Sequence, residues 1–196
     1  MSNTVPTPIT DKNGKQTTVH KKVDDSSVGV ARVAGIAQPS DPYTTINPLT
    51  GRDYPAGLTH RDIENATDSF LVTAVFTATH TPTDEEGNET GDTVEIDSLG
   101  FSYNDFDEDS QEKAFNIILK FATENEDIVK EALELAGYYP DDLGGDLNYT
   151  INGHGTGFWD RELLEDNDLG KKLTEAASKM PGMDVYVGNN GKLDLN

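Results

Sequence analysis

The chain has 196 residues, no cysteine, 34% hydrophobic residues and a formal net charge of −21. That length holds one domain and a tail, the absence of thiols excludes disulfides, zinc–thiolate sites and cysteine nucleophiles, and the charge argues against direct binding to nucleic acid. No apolar run approaches the roughly 18 residues of a membrane-spanning helix, and the N-terminus lacks the basic and apolar parts of a secretion signal. The expectation is a cytoplasmic protein, with the sequons at Asn65, Asn88 and Asn148 incidental.

Residues 1–58 read as a flexible, mostly disordered arm, punctuated by Pro6, Pro8, Pro39, Pro42, Pro48 and Pro55. A short strand is expected over Gln16–His20 after a turn at Asp11–Gly14. Val28–Ala37 is apolar without a clear period, and Lys21 and Lys22 could serve a linear recognition motif, although a plain linker explains them as well.

A domain of residues 59–196 follows. Thr59 and Asp62 form a capping box, and Ile63, Ala66, Phe70, Ala74 and Ala78 then recur at helical spacing. A helix is expected to about Thr79; the β-branched Val72, Thr73 and Val75 leave a strand over 70–78 as the alternative. Residues 81–100 form an acidic loop, with Val94 and Ile96 in a short extended piece. A second helix should start near Asp109 or Ser110, with Phe115, Ile118, Leu119, Ala122, Val129 and Ala132 on one face. Thr123 and Glu126 suggest a break near Asn125, and Gly137 a stop. Asp141–Asp146 reads as a turn-rich connection, and Leu147, Tyr149 and Ile151 as one face of a strand. A helical turn at Glu162–Leu164, a helix over Asp168–Met180 and a hairpin around Gly188–Gly191 complete the chain. The expected fold is α+β: two or three helices on a three-stranded antiparallel sheet built from 147–152, 184–188 and 192–195.

Asn152-Gly153-His154-Gly155-Thr156-Gly157-Phe158-Trp159-Asp160-Arg161 resembles a family of small proteins carried by bacteriophages and related mobile elements. The likeness extends through Leu173–Ala177 and Val185–Lys192, is detectable from about Ser69 and is strong over 147–195. It implies a mobile-element context and a host-cell cytoplasm, without a transferable activity. The chain departs from the family at Glu165–Asp168, an acidic run where members tend to be glycine-rich.

Two groups of residues carry the functional expectations. Residues 1–60 hold six Lys/Arg against five Asp/Glu, whereas 81–148 hold three lysines against twenty acids. Asp84, Glu85, Glu86, Glu89, Asp105, Asp107, Glu108, Asp109, Glu112, Glu124, Glu126, Asp127, Glu131 and Glu134 are the expected acidic binding surface. Carboxylates on a helical face can meet the Arg and Lys side chains that otherwise hold phosphates; solubility alone is the plainer explanation. The second group is Asn152, Gly153, His154, Gly155, Gly157, Phe158, Trp159 and Asp160. His154 could act as an acid/base oriented by Asp160 or Glu162. Otherwise the glycines turn the chain and Phe158 and Trp159 plug the core.

Gly153-x-Gly155-x-Gly157 matches no phosphate loop. Asp105-x-Asp107-x-Asp109 lacks the sixth-position Gly and twelfth-position Glu of a calcium loop, so neither metal nor cofactor is expected. The leading expectation is a non-enzymatic accessory protein that binds a basic host protein, inhibiting a nucleic-acid-binding defence system by DNA mimicry. A small hydrolase or ligand-binding enzyme at His154 and Asp160, and a structural or replication-associated phage protein, are the alternatives.

Overall fold

A computed structural model describes residues 4–10, 16–22, 39–82, 84, 88–165, 168–188 and 190–196. Among these, five α-helices and three two-stranded antiparallel ladders alternate with short 3-10 turns. Strands β1 (Thr4–Thr10) and β2 (Gln16–Lys22) pair from Thr4↔Lys22 to Thr10↔Gln16. The turn expected at Asp11–Gly14 and the apolar stretch Val28–Ala37 lie outside the described residues.

Helix α1 (His60–Thr77) opens on the expected capping box: the Thr59 N–H donates to Asp62 Oδ2 at 2.8 Å, and the Asp62 N–H to Thr59 Oγ1 at 3.2 Å. Ile63, Ala66, Phe70, Leu71 and Ala74 are buried. Packing of that stripe on neighbouring helices overrides the β-branched residues, which cost a helix only tenths of a kcal/mol each, about 0.7 at most. The helix ends at Thr77, and β3 (Thr79–His80) pairs with β4 (Val94–Glu95).

Residues 39–58 depart from the flexible-arm expectation. The Pro42 and Thr44 carbonyls accept the Arg61 and His60 N–H groups at 2.8 and 2.9 Å. Tyr54, Ala56 and Leu58 are buried, with the turn Pro55–Gly57 against α2 (Glu108–Glu124) and α3 (Glu126–Leu133). Prolines and glycines here shape tight turns rather than a linker. α2 starts within two residues of the expected place, with Asp107 as N-cap, and Asn125 separates it from α3. Thr123 does not cap α3; its hydroxyl donates to Leu119 O at 2.7 Å.

The largest correction is at 140–151, a helix (α4, Pro140–Ile151) where a turn and a strand were expected. Leu147 and Ile151 satisfy helical spacing from Leu143 as well as strand alternation, and tertiary packing decides between the two. Gly144 presses against the backbone of Ala66 on α1, where a Cβ would collide with the Ala66 carbonyl oxygen. A bare glycine permits that approach, and α1–α4 is the most extensive helix contact. The three-stranded sheet is therefore absent. β5 (Val185–Val187) pairs with β6 (Leu193–Leu195) alone. β6 is pinned to the start of α2: the Asp107 N–H donates to Leu193 O at 3.0 Å, and the Leu195 N–H to Ser110 Oγ at 2.8 Å. α5 (Leu169–Ala177) completes the core with Leu169, Leu173 and Ala177.

Candidate functional site

The glycine corner caps α4. The His154 N–H donates to Tyr149 O at 3.1 Å, closing the turn after the helix. The Asn152 side chain donates to Asn148 Oδ1 at 3.2 Å and accepts the Met183 N–H at 2.7 Å, fastening the segment before β5 onto α4. Gly157, with φ +141°, crosses so close to α4 that a Cβ would strike the Thr150 hydroxyl. This bend drives Phe158 inward, where it is fully buried and stacked on Phe121 with centroids 5.7 Å apart. Trp159, its neighbour, points out and is 55% exposed. Phe158 alone plugs the core; the 3-10 turn Phe158–Asp160 cannot face both rings inward.

His154 is also exposed, its ring edge-on to Tyr149 at 6.3 Å. It borders a groove of about 410 Å³ with Thr77, Thr79, Asn152, Met183 and Asp184. Trp159 lies instead in a separate depression with Arg161 and Lys171. Asp160, which accepts the Thr156 hydroxyl at 3.1 Å, does not line the groove, and neither does Glu162. The imidazole, indole and carboxylate that an enzyme at this motif requires do not converge.

The acidic residues divide in two. Some serve the backbone: Asp84 accepts the Asn88 N–H at 2.8 Å, Asp105 the Ser102 N–H at 2.7 Å, Asp107 the Ser110 N–H at 2.8 Å and Glu126 the Ala56 N–H at 3.2 Å. Hydrogen bonds from Ser110 hold Asp107 below the usual carboxylate range. The second set is exposed: Glu89, Glu108, Asp109, Glu112, Glu124, Asp127 and Glu134, most of them along α2 and α3. Glu131 is half-buried, and Glu124 lies 3.9 Å from Lys120. Glu85 and Glu86 fall outside the described residues. No group of three or more metal-ligating side chains occurs among the described residues.

Sequence reasoning missed two interior networks. Arg161 Nε donates to both Asp146 oxygens at 2.9 Å, its Nη2 lies 3.5 Å from Asp142, and the Tyr138 hydroxyl donates to Asp146 at 3.3 Å. Burial raises Asp146 despite the guanidinium. In the second, the Tyr54 hydroxyl meets His60 Nδ1 at 2.6 Å, and His60 Nε2 faces Glu64 Oε1 at 3.6 Å. That separation is too long for a hydrogen bond, and both atoms are buried without a partner. Burial lowers the His60 pKa, against the pull of Glu64. Next to them, Asp68 is pushed up to about 7, first by burial and then by Glu64. The spacing of His60, Arg61 and Glu64 behind a capped Thr59 was the available signal.

No helix among the described residues is long and apolar enough to cross a membrane. What fold and site define is an α+β protein with exposed carboxylates along α2 and α3 and a glycine-shaped turn presenting an indole. Comparison with protein-family models, curated proteins and solved structures gives no match to this chain.

Proposed function

We propose that this chain is a non-enzymatic accessory protein of a bacteriophage or related mobile element, acting in the host cytoplasm by binding a basic host protein. It occupies the basic surface of a nucleic-acid-binding defence component and so inhibits it. The observation that carries this reading is the exposure of Glu108, Asp109, Glu112, Glu124, Asp127 and Glu134 along α2–α3, in a chain of net charge −21. The resemblance at 152–161 supports the mobile-element context.

Charge density narrows the mode of binding. α2 spans about 24 Å from Glu108 to Glu124 and exposes four acids over that length. A duplex of that length carries about 14 phosphates. The face imitates a cluster of phosphates rather than a length of DNA, so affinity comes from a few charge-assisted pairs and falls steeply with salt.

The test is capture of bacterial lysate proteins on the immobilised full chain, beside a Glu108→Lys/Glu112→Lys/Asp127→Lys variant. Basic proteins released by moderate salt and by added duplex DNA, and lost from the variant, are expected. A captured set indifferent to salt, DNA and charge reversal refutes the proposal. The groove beside His154 favours a second reading, a ligand-binding protein, for which His154→Ala abolishes function without touching stability.

A further inference from the structure

We propose that the turns carrying Trp159 and Leu163 form the anchor of the partner interface, taking a basic segment whose arginines stack on the indole and meet the adjoining carboxylates while its apolar side chains cover Leu163. This rests on the reading of the chain as an acidic binder. Trp159 is 55% and Leu163 47% exposed, four residues apart on the successive 3-10 turns Phe158–Asp160 and Glu162–Leu164. Lone exposed apolar residues are ordinary; these two stand on a fixed platform. Phe158 and Leu164 are buried on either side of them. Gly170 of α5 packs so tightly beneath that a Cβ would sit 2.5 Å from the Phe158 carbonyl oxygen. Turns held this firmly present the indole already ordered, so little conformational entropy is lost on docking.

The surroundings identify the occupant. Asp160, Glu162 and Glu165 are exposed within the same turns. The one cation between them, Arg161, is committed inward to Asp146 and Asp142 and does not satisfy them. An exposed indole among carboxylates suits a guanidinium, which stacks on the ring and bonds to acid oxygens. Lys171 is exposed on the α5 side of the depression. Leu163 also reaches over Gly137, three residues past Glu134, so the anchor adjoins the end of the α2–α3 acidic face. Trp and Arg dominate interface hot spots, and charges around them steer encounter.

Trp159 is the sole tryptophan, so its emission reports this surface alone. The full chain is titrated with a labelled amphipathic Arg/Leu peptide, following peptide anisotropy and protein emission together. Trp159→Ala, whose fold is checked by circular dichroism, is titrated by anisotropy. The expected result is a shift of emission to shorter wavelength and a Kd weakened roughly tenfold in Trp159→Ala, within the range of an interface anchor. Equal binding by Trp159→Ala with unchanged emission in the native chain overturns this inference and leaves the acidic-face reading standing. No binding even at low salt removes both. A blue shift on concentrating the protein by itself would mean that a second copy covers the turn, which also overturns the proposal.

Discussion

Adjacent glycines of α4 should respond in opposite directions to the same substitution. In Gly144→Ala the new Cβ would stand 2.7 Å from the Ala66 carbonyl carbon and 2.9 Å from its Cα, besides colliding with the carbonyl oxygen. Comfortable separations are about 3.5–4.0 Å, so α1 and α4 must part by roughly 1 Å along their main contact. Overpacking of this kind costs about 1–3 kcal/mol, occasionally more, and backbone cannot rotate away as a side chain does. The upper end, about 3 kcal/mol, therefore applies; better helix propensity returns about 1 kcal/mol, leaving a net loss of about 2. In Gly145→Ala the nearest atoms are the Ser69 and Thr73 hydroxyl oxygens at 3.3 Å, both on rotatable side chains. There the propensity gain of about 1 kcal/mol dominates. At about 2–4 °C per kcal/mol for a chain of this size, Gly144→Ala should melt roughly 4–8 °C lower, while Gly145→Ala melts at or slightly above the parent. Thermal and urea unfolding followed by circular dichroism read both. A Gly144→Ala protein as stable as Gly145→Ala would refute the close α1–α4 contact, and with it the helix at 140–151.

Phe158→Ala should cost about 3–5 kcal/mol, whereas His154→Ala, a change at an exposed ring with one edge contact, should cost less than about 1; comparable urea midpoints would mean the corner is packed the other way. Arg161→Ala leaves the buried Asp146 without its cation and should lose about 2–3 kcal/mol, at or just below the roughly 3–5 kcal/mol of a fully buried broken pair because the guanidinium is partly exposed and the Tyr138 hydroxyl still donates to Asp146. A double substitution with Asp146→Asn should recover much of that loss, and failure to do so would show that the loss comes from the packing of the Arg161 side chain rather than from the carboxylate left behind. Asp68 titrates near 7 in the folded chain against 3.8 for the free side chain, so the native state holds an extra proton between those values and the group's contribution to stability declines as pH rises through that window. Asp68→Asn should therefore raise the melting temperature at pH 8 and flatten its fall between about pH 4 and 7; melts unchanged at pH 8 would show a well-solvated carboxylate.

How much was legible follows from how local each cause is. The Thr59 capping box, the acids opening α2 and the pairing of β5 with β6 all depend on residues a few positions apart, and all lie where local chemistry puts them; the interruption at Asn125 lies where expected, although Thr123 does not make the cap that suggested it. α4 did not: two glycines in sequence signal a turn, and only the presence of Ala66, about eighty residues earlier, makes Gly144 a helix contact. Leu143, Leu147 and Ile151 fit a helical period while Leu147, Tyr149 and Ile151 fit strand alternation, so periodicity had no power to choose. The site divides the same way. Asp107 sits where any N-cap is expected, but the Glu126 bond to the Ala56 N–H spans seventy residues and has no local signature.

Phe158 and Trp159 show why composition could not assign the corner. The two rings are neighbours of similar hydrophobicity, and which one faces the core is set by the backbone direction leaving Gly157. That direction follows in turn from the contact with Thr150. Had the chain left Gly157 in the opposite sense, the larger ring would have been buried and the phenyl exposed, with no change in the pattern of residue types. Burying the indole would have stabilised the protein by about as much as burying the phenyl does, since each is worth a few kcal/mol. The fold therefore gains little by choosing Phe158, and the proposed anchor gives the exposed indole a role among Asp160, Glu162 and Glu165. On this argument Trp159→Phe should leave stability within about 0.5 kcal/mol of the parent while weakening capture of an arginine-rich peptide, because the phenyl face attracts a guanidinium less strongly than the indole. Equal capture by the two would place the peptide's contacts elsewhere on the acidic surface.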